Sequence, residues 1–231
     1  MSAALDRFME NTDDLSRLRQ IHQQVGGTGP GRRRLEVLNK SAVVLAVACW
    51  EAFVEDLAVL TFDLLLAGAR DHSVFPARVL TLAAKPLREH TDARQVWALA
   101  DAGWRQVLKR YRDEVMKRLV RPFNTPRAAN VDALFQDLVG SELSSTWRWT
   151  GMSSTAARTK LDALVTLRGQ IAHRVAASRP VRWSYVDDRV TFLVHLAIVS
   201  SNRMGALIGE RTGAIPWEES EFTMPSRLTR R

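Results

Sequence analysis

Residues 42–66, AVVLAVACWEAFVEDLAVLTFDLLL, decide the fold. The stretch is apolar around most of a helical circumference, and neither Gly nor Pro occurs between Arg32 and Gly68. A run of that length without a breaker reads as one long helix covered by its neighbours, spanning about Arg32 to Ala69. It is also the strongest membrane candidate in the chain. However, Glu51, Glu55, Asp56 and Asp63 interrupt it and leave no uncharged run of the roughly 18 residues that a span requires. The expectation is the central, buried helix of a soluble domain.

Working outward, Leu5, Phe8, Met9, Leu15, Leu18, Ile21 and Val25 recur mostly at three- and four-residue steps, and the pattern stops at Gly26-Gly27-Thr28-Gly29-Pro30-Gly31. This predicts one amphipathic helix followed by a loop. Ala77 to His90 and Asp92 to Val120 carry further helical patterns, the first broken or kinked at Pro86, the second with Val96, Leu99, Ala100, Gly103, Val107, Leu108 and Tyr111 on a stripe. Thr125 and Pro126 predict the cap and first position of a helix ending near Val139. Ser153 or Ser154 caps the next, marked by Ala156, Leu161, Leu164, Val165 and Leu167, and a last long helix covers roughly Tyr185 to Ile208. Alternation of period two is confined to the vicinity of Val181 to Tyr185, and no internal repeat appears. The predicted fold is all-α: a helical bundle with one domain over residues 1–215, its core from about 32 to 210, followed by a basic tail over 216–231.

The 231 residues carry 33 Lys+Arg against 25 Asp+Glu, a net charge of +8, and 28 of the cations are Arg. Guanidinium groups suit planar, bidentate contacts, so an anionic partner is one reading, while basic residues spread over solvated helix faces in a GC-rich genome give the same excess. Cys49 is the single cysteine, which excludes an intrachain disulfide framework and fits a reducing cytoplasm. The N-terminal MSAALDRFMENTDDL has acids where an export signal would be apolar. Paired His at i, i+4 and Cys/His clusters are missing, so neither a metal nor a cofactor is expected.

The best candidate for chemistry is Arg168-Gly169-Gln170-Ile171-Ala172-His173, at or near the C-terminal end of its helix. Arg can hold a phosphate bidentately, and an imidazole trades protons near neutral pH, which points to phosphodiester cleavage. In a continuous helix, residues five apart differ by about 140° around the axis, so Arg168 and His173 need a distortion or a second chain to act together. The bland reading is a cationic helix end with Arg168 bonded to a carboxylate such as Glu51. Glu51 and Glu55, one turn apart on the apolar helix, are candidates to orient Arg168 or His173, or to pair with a structural Arg elsewhere. Asn39 and Lys40 precede the apolar run and read as a solvated helix start, or as candidates for the same cleft. Trp147, Arg148 and Trp149 form an aromatic-basic cluster suited to stacking on unpaired bases, or to packing. Arg174 joins the RNA-binding candidates. His195, among Phe192, Val194, Leu196 and Ile198, reads as buried and hydrogen-bonded. Arg32-Arg33-Arg34 reads as a solvated run.

Three patterns occur together: Leu38-Asn39-Lys40-Ser41 leading into Trp50-Glu51-Ala52-Phe53-Val54-Glu55-Asp56-Leu57; Pro122-Phe123-Asn124-Thr125-Pro126; and Leu161-Asp162 followed by Arg168 to His173. From about Leu38 to Ala176 the chain resembles the RiboL-PSP-HEPN group of the HEPN superfamily. The resemblance implies a compact helical bundle, here with additional N-terminal and inserted helices, that is commonly dimeric. It also implies a metal-independent ribonuclease whose Arg-x4–6-His motifs meet across the dimer, carried here by Arg168 and His173. Gly169 stands where a polar residue, often Asn, follows the Arg in the common form, which leaves Gln170 as the candidate for that contact.

Chemistry supports a dimer separately. Transesterification at an RNA 2′-OH uses a base, an acid and a cation on the phosphate, while one motif offers one imidazole. Two copies about a two-fold axis offer both. The expected function is an endoribonuclease leaving a 2′,3′-cyclic phosphate and a 5′-OH, in the setting of a toxin or antiviral effector with an antitoxin or defence-system partner. The alternatives are a non-catalytic RNA- or nucleotide-binding module and a dimeric interaction scaffold.

Overall fold

The structure, a computed structural model, describes residues 1–25, 32–120, 125–174 and 180–222, with the backbone alone at 25, 32–34, 119, 120 and 174. Its helices are α1 (Ala3–Asn11), α2 (Asp13–Val25), α3 (Arg32–Gly68), α4 (Ala77–Arg88), α5 (Gly103–Val120), α6 (Ala128–Val139), α7 (Ser154–Arg174) and α8 (Trp183–Thr212). Among the described residues no strand forms beyond an isolated bridge between Trp149 and Met152. The all-α expectation holds.

α3 is the axis of the bundle, with α1, α2, α6, α7 and α8 packed around it and its most extensive contact made with α8. Trp50, Phe53, Val54, Leu57, Phe62 and Leu65 are buried along it, as the all-round apolar pattern requires. α8 is the one described helix long and apolar enough to cross a membrane, yet 67% of that window is buried inside the fold. Cys49 is buried and donates its Sγ proton toward Asn11 O at 3.6 Å, while burial, reinforced by the Asp14 charge, pushes its thiol up to about 11.

Several boundaries differ from expectation. The predicted first helix is two, separated at Thr12, whose hydroxyl donates back to Met9 O at 2.6 Å. Asp13 and Asp14 then open α2, where negative charge suits the helix dipole. The pattern from Asp92 is also divided: Ala93–Leu99 winds as a 3-10 helix capped by Asp92, and α5 begins only at Gly103. Asp101 takes φ 51° there, and a Cβ at position 103 would lie 2.1 Å from Ala98 O, so only glycine fits the restart. Val96, on the predicted stripe, consequently faces solvent rather than the core, as does its neighbour Trp97 at 77% exposure. α4 runs through Pro86 and ends two residues later, so the proline marks the end of the helix rather than a kink in its middle.

Thr125 and Pro126 do not start α6. Arg127 occupies the N-cap without a side-chain bond, and Asp162 of α7 instead accepts from Ala128 N–H at 3.0 Å. Asn124 lies outside the described residues, as do Pro122 and Phe123. α6 ends as expected, with Gly140 at φ 64°. The described part of the C-terminal tail lies along α8: Trp217 Nε1 donates to Ser201 O, and Asn202 and Ser220 exchange two hydrogen bonds at 2.9 and 3.0 Å. Arg227, Arg230 and Arg231 lie outside the described residues.

Candidate active site

α7 carries the motif on uninterrupted helix. Ser153 caps it, its Oγ accepting from Ala156 N–H at 3.2 Å, and the helix continues through both Arg168 and His173 to Arg174. Ala157, Leu161, Leu164, Val165 and Ile171 are buried. Arg168 stands four residues after Leu164 and three before Ile171, so it belongs to that core-facing row. It is half-buried, whereas Gln170 and His173 are exposed. The regular helix sets the two motif residues about 140° apart, so one chain does not bring them onto one face.

Glu51 of α3 is the carboxylate opposite Arg168. Burial raises its pKa above the ordinary value, and the Arg168 charge opposes that rise. Glu55, one turn later, is placed elsewhere: its carboxyl is pushed up to about 7 by burial, then by the charges of Glu51 and Asp56. It lines a cleft of about 340 Å³ with Arg7, Asp56 and Met116. Of the two predicted orienting acids, the structure brings Glu51 to Arg168.

Other family-pattern residues hold the chain around α7. Asn39 is buried, and its Nδ2 donates to Val181 O at 2.7 Å, fixing the approach to α8. That bond gives Asn39 a structural role. Lys40 pairs with Glu36 on the same helix at 3.2 Å. Trp50 Nε1 donates to Pro126 O at 3.3 Å, tying α3 to the start of α6.

The aromatic-basic cluster splits into three environments. Trp147 is fully buried, edge-on to Trp50, and its Nε1 donates to Ser200 Oγ at 2.9 Å, so it packs in the core and offers no face for a base. Trp149 is half-buried and stacked on His195 at 4.8 Å, while Arg148 is exposed. His195 is half-buried rather than fully buried, held between the Trp149 and Phe222 rings. Burial and then the Lys160 charge lower its pKa, which favours a neutral ring in the stack. The side chains of Arg174 and of Arg32 to Arg34 lie outside the described residues.

One buried network had only weak signals in sequence. Asp132 accepts from Ser144 N–H at 2.7 Å, Ser144 Oγ–H at 2.5 Å and Arg158 Nη2 at 2.8 Å, joining α6, the Ser144 turn and α7. An Asp amid the apolar positions of α6 was the available clue, since a buried acid needs such partners. Among the described residues, no group of three or more His, Cys, Asp or Glu side chains is arranged to hold a metal ion.

An all-helical bundle that packs an Arg-x4-His helix against a long apolar central helix is the arrangement the resemblance to HEPN domains implies. The RiboL-PSP-HEPN family model matches residues 9–192, and the chain belongs to that family. No curated protein matches the chain, and no solved structure does. Membership in a HEPN-type family makes RNA-related function the functional class to consider.

Proposed function

We propose that the protein is a metal-independent endoribonuclease that works as a homodimer, with Arg168 clamping the scissile phosphate and His173 transferring protons. The observation that carries this reading is the exposure of His173 at the end of an undistorted α7 whose Arg168 turns toward α3. A motif divided in this way is half a site, and a two-fold copy supplies a second imidazole and a second guanidinium. Beside Glu51, the outer face of α3 presents Val37, 66% exposed, together with exposed Ser41 and Ala48. These small and apolar side chains follow the helical repeat and suit close approach by another helix.

In the reaction, one His173 removes the 2′-OH proton, the 2′-oxygen attacks phosphorus, and the other His173 protonates the departing 5′-oxygen. Arg168 stabilises the charge that builds on the phosphate. The products are a 2′,3′-cyclic phosphate and a 5′-OH, and the biological role is that of a toxin or antiviral effector restrained by a cognate partner. Incubating purified protein with labelled RNA in chelator tests the reading. Cleavage leaving the cyclic phosphate is expected, and His173→Ala should abolish it while retaining RNA affinity. Absence of cleavage across pH and salt, with or without native partners, refutes it.

A further inference from the structure

Beside the motif, α7 and the first turns of α8 enclose a groove of about 690 Å³ whose lining includes Thr166, Leu167, Gln170, Arg182 and Tyr185. A groove of this volume falls within the range that holds a small ligand. Thr166, Gln170 and His173 are separated by four and then three positions, so they share one side of α7. The groove therefore runs toward the turn that carries the imidazole, on the side away from Arg168.

Its chemistry suits a nucleotide. Tyr185 is half-buried with the Arg189 guanidinium over its ring at 4.5 Å, forming a platform on which a base can stack. Gln170 is exposed and lines the groove; its amide offers a donor and an acceptor together, as an unpaired base edge does. Arg182 is exposed at the N-cap of α8, where the 30-residue helix starts without a side-chain cap. A guanidinium and the positive end of a helix both favour phosphate. The acidic member of the lining, Asp188, is paired with Lys160 at 2.9 Å. The Asn39 bond to Val181 O fixes the opposite wall.

We propose that this groove is a nucleotide subsite: it takes the base and phosphate adjoining the bond cleaved at His173, with Tyr185 stacking the base, Gln170 reading its edge and Arg182 holding the phosphate. The choice of RNA as ligand rests on the ribonuclease reading.

The test combines fluorescence anisotropy of the four labelled ribohomohexamers on His173→Ala protein with base preference at cleavage sites in protein that retains His173. Each is measured without further change and in Gln170→Leu, Tyr185→Leu and Arg182→Gln. Arg182→Gln should weaken all four hexamers about five- to tenfold and lower the salt dependence by about one phosphate contact. Gln170→Leu should reorder the bases, changing the leading preference at least fivefold. Tyr185→Leu keeps bulk and should weaken each hexamer; if it fails to fold by circular dichroism, the exposed Gln170 and Arg182 variants decide alone. Affinities within twofold and unchanged base preference overturn the subsite, and normal cleavage in the same proteins leaves the ribonuclease reading intact. Loss of affinity in these variants without cleavage by the native protein supports the groove as a nucleotide-binding site, and refutes the nuclease and with it the groove's place beside a cleaved bond. Absence of both binding and cleavage refutes both.

Discussion

The two sides of α7 are built from the same helix and have opposite duties. Toward α3, Arg168 shares a row with Leu164 and Ile171, which are buried, and its charge acts on Glu51. On the other side, Thr166, Gln170 and His173 face outward. One residue of the motif is thus held by the fold, and the other is left for whatever approaches it. Substitutions on the two sides should separate stability from activity.

The largest expected separation is at His173. His173→Ala should lower the cleavage rate at least about 100-fold and leave the thermal midpoint unchanged, because the side chain is exposed; an equal loss in both measurements would erase the contrast. Leu164→Ala is its mirror image. A fully buried leucine truncated to alanine should cost about 2–5 kcal/mol in denaturant unfolding, with the remaining folded protein still active. Ala48→Arg tests whether α3 completes the site in a second copy: light scattering should report a monomer, cleavage should fall at least about tenfold, and unfolding should shift by no more than about 0.5 kcal/mol. Arg168→Ala joins both sides, losing activity and about 1 kcal/mol as Glu51 loses its cation. Adding Glu51→Gln should restore the stability and not the activity, in a double-mutant cycle.

The smallest effect is at Glu55. Its carboxyl titrates at about 7 in the fold against 4.5 ordinarily, so between those values the folded chain holds a proton that the unfolded chain has released. Stability therefore falls as pH rises through that window. Glu55→Gln should flatten the slope by about 1 kcal/mol at most, since the partly solvated carboxyl is screened. An identical pH profile for the variant would assign the slope to other groups.

The extent to which sequence foretold these features follows from the range of the forces involved. α3 was legible because apolar periodicity and the absence of Gly or Pro are local signals, and α7 because its apolar periodicity carries through Gly169. The 3-10 turn before α5 was not, because it depends on a contact between Gly103 and the Ala98 carbonyl rather than on propensity. Trp147 and Trp149 looked equivalent two residues apart, yet Ser200, 53 residues downstream, draws Trp147 into the core. Glu51 and Glu55 likewise share a pattern, and only the placement of α7 separates them. The motif itself was visible in sequence, whereas the groove beside it required α8 to fold back against α7.

Cys49 offers a consequence of a different kind. Its thiol is buried beneath Asn11 and pushed up to about 11, so at neutral pH almost none is thiolate, the form that reacts. Modification by a thiol reagent must wait for the hinge between α1 and α2 to lift from α3. The only sulfhydryl in the chain is thus a native clock, and its labelling rate would time how often the bundle breathes at that seam.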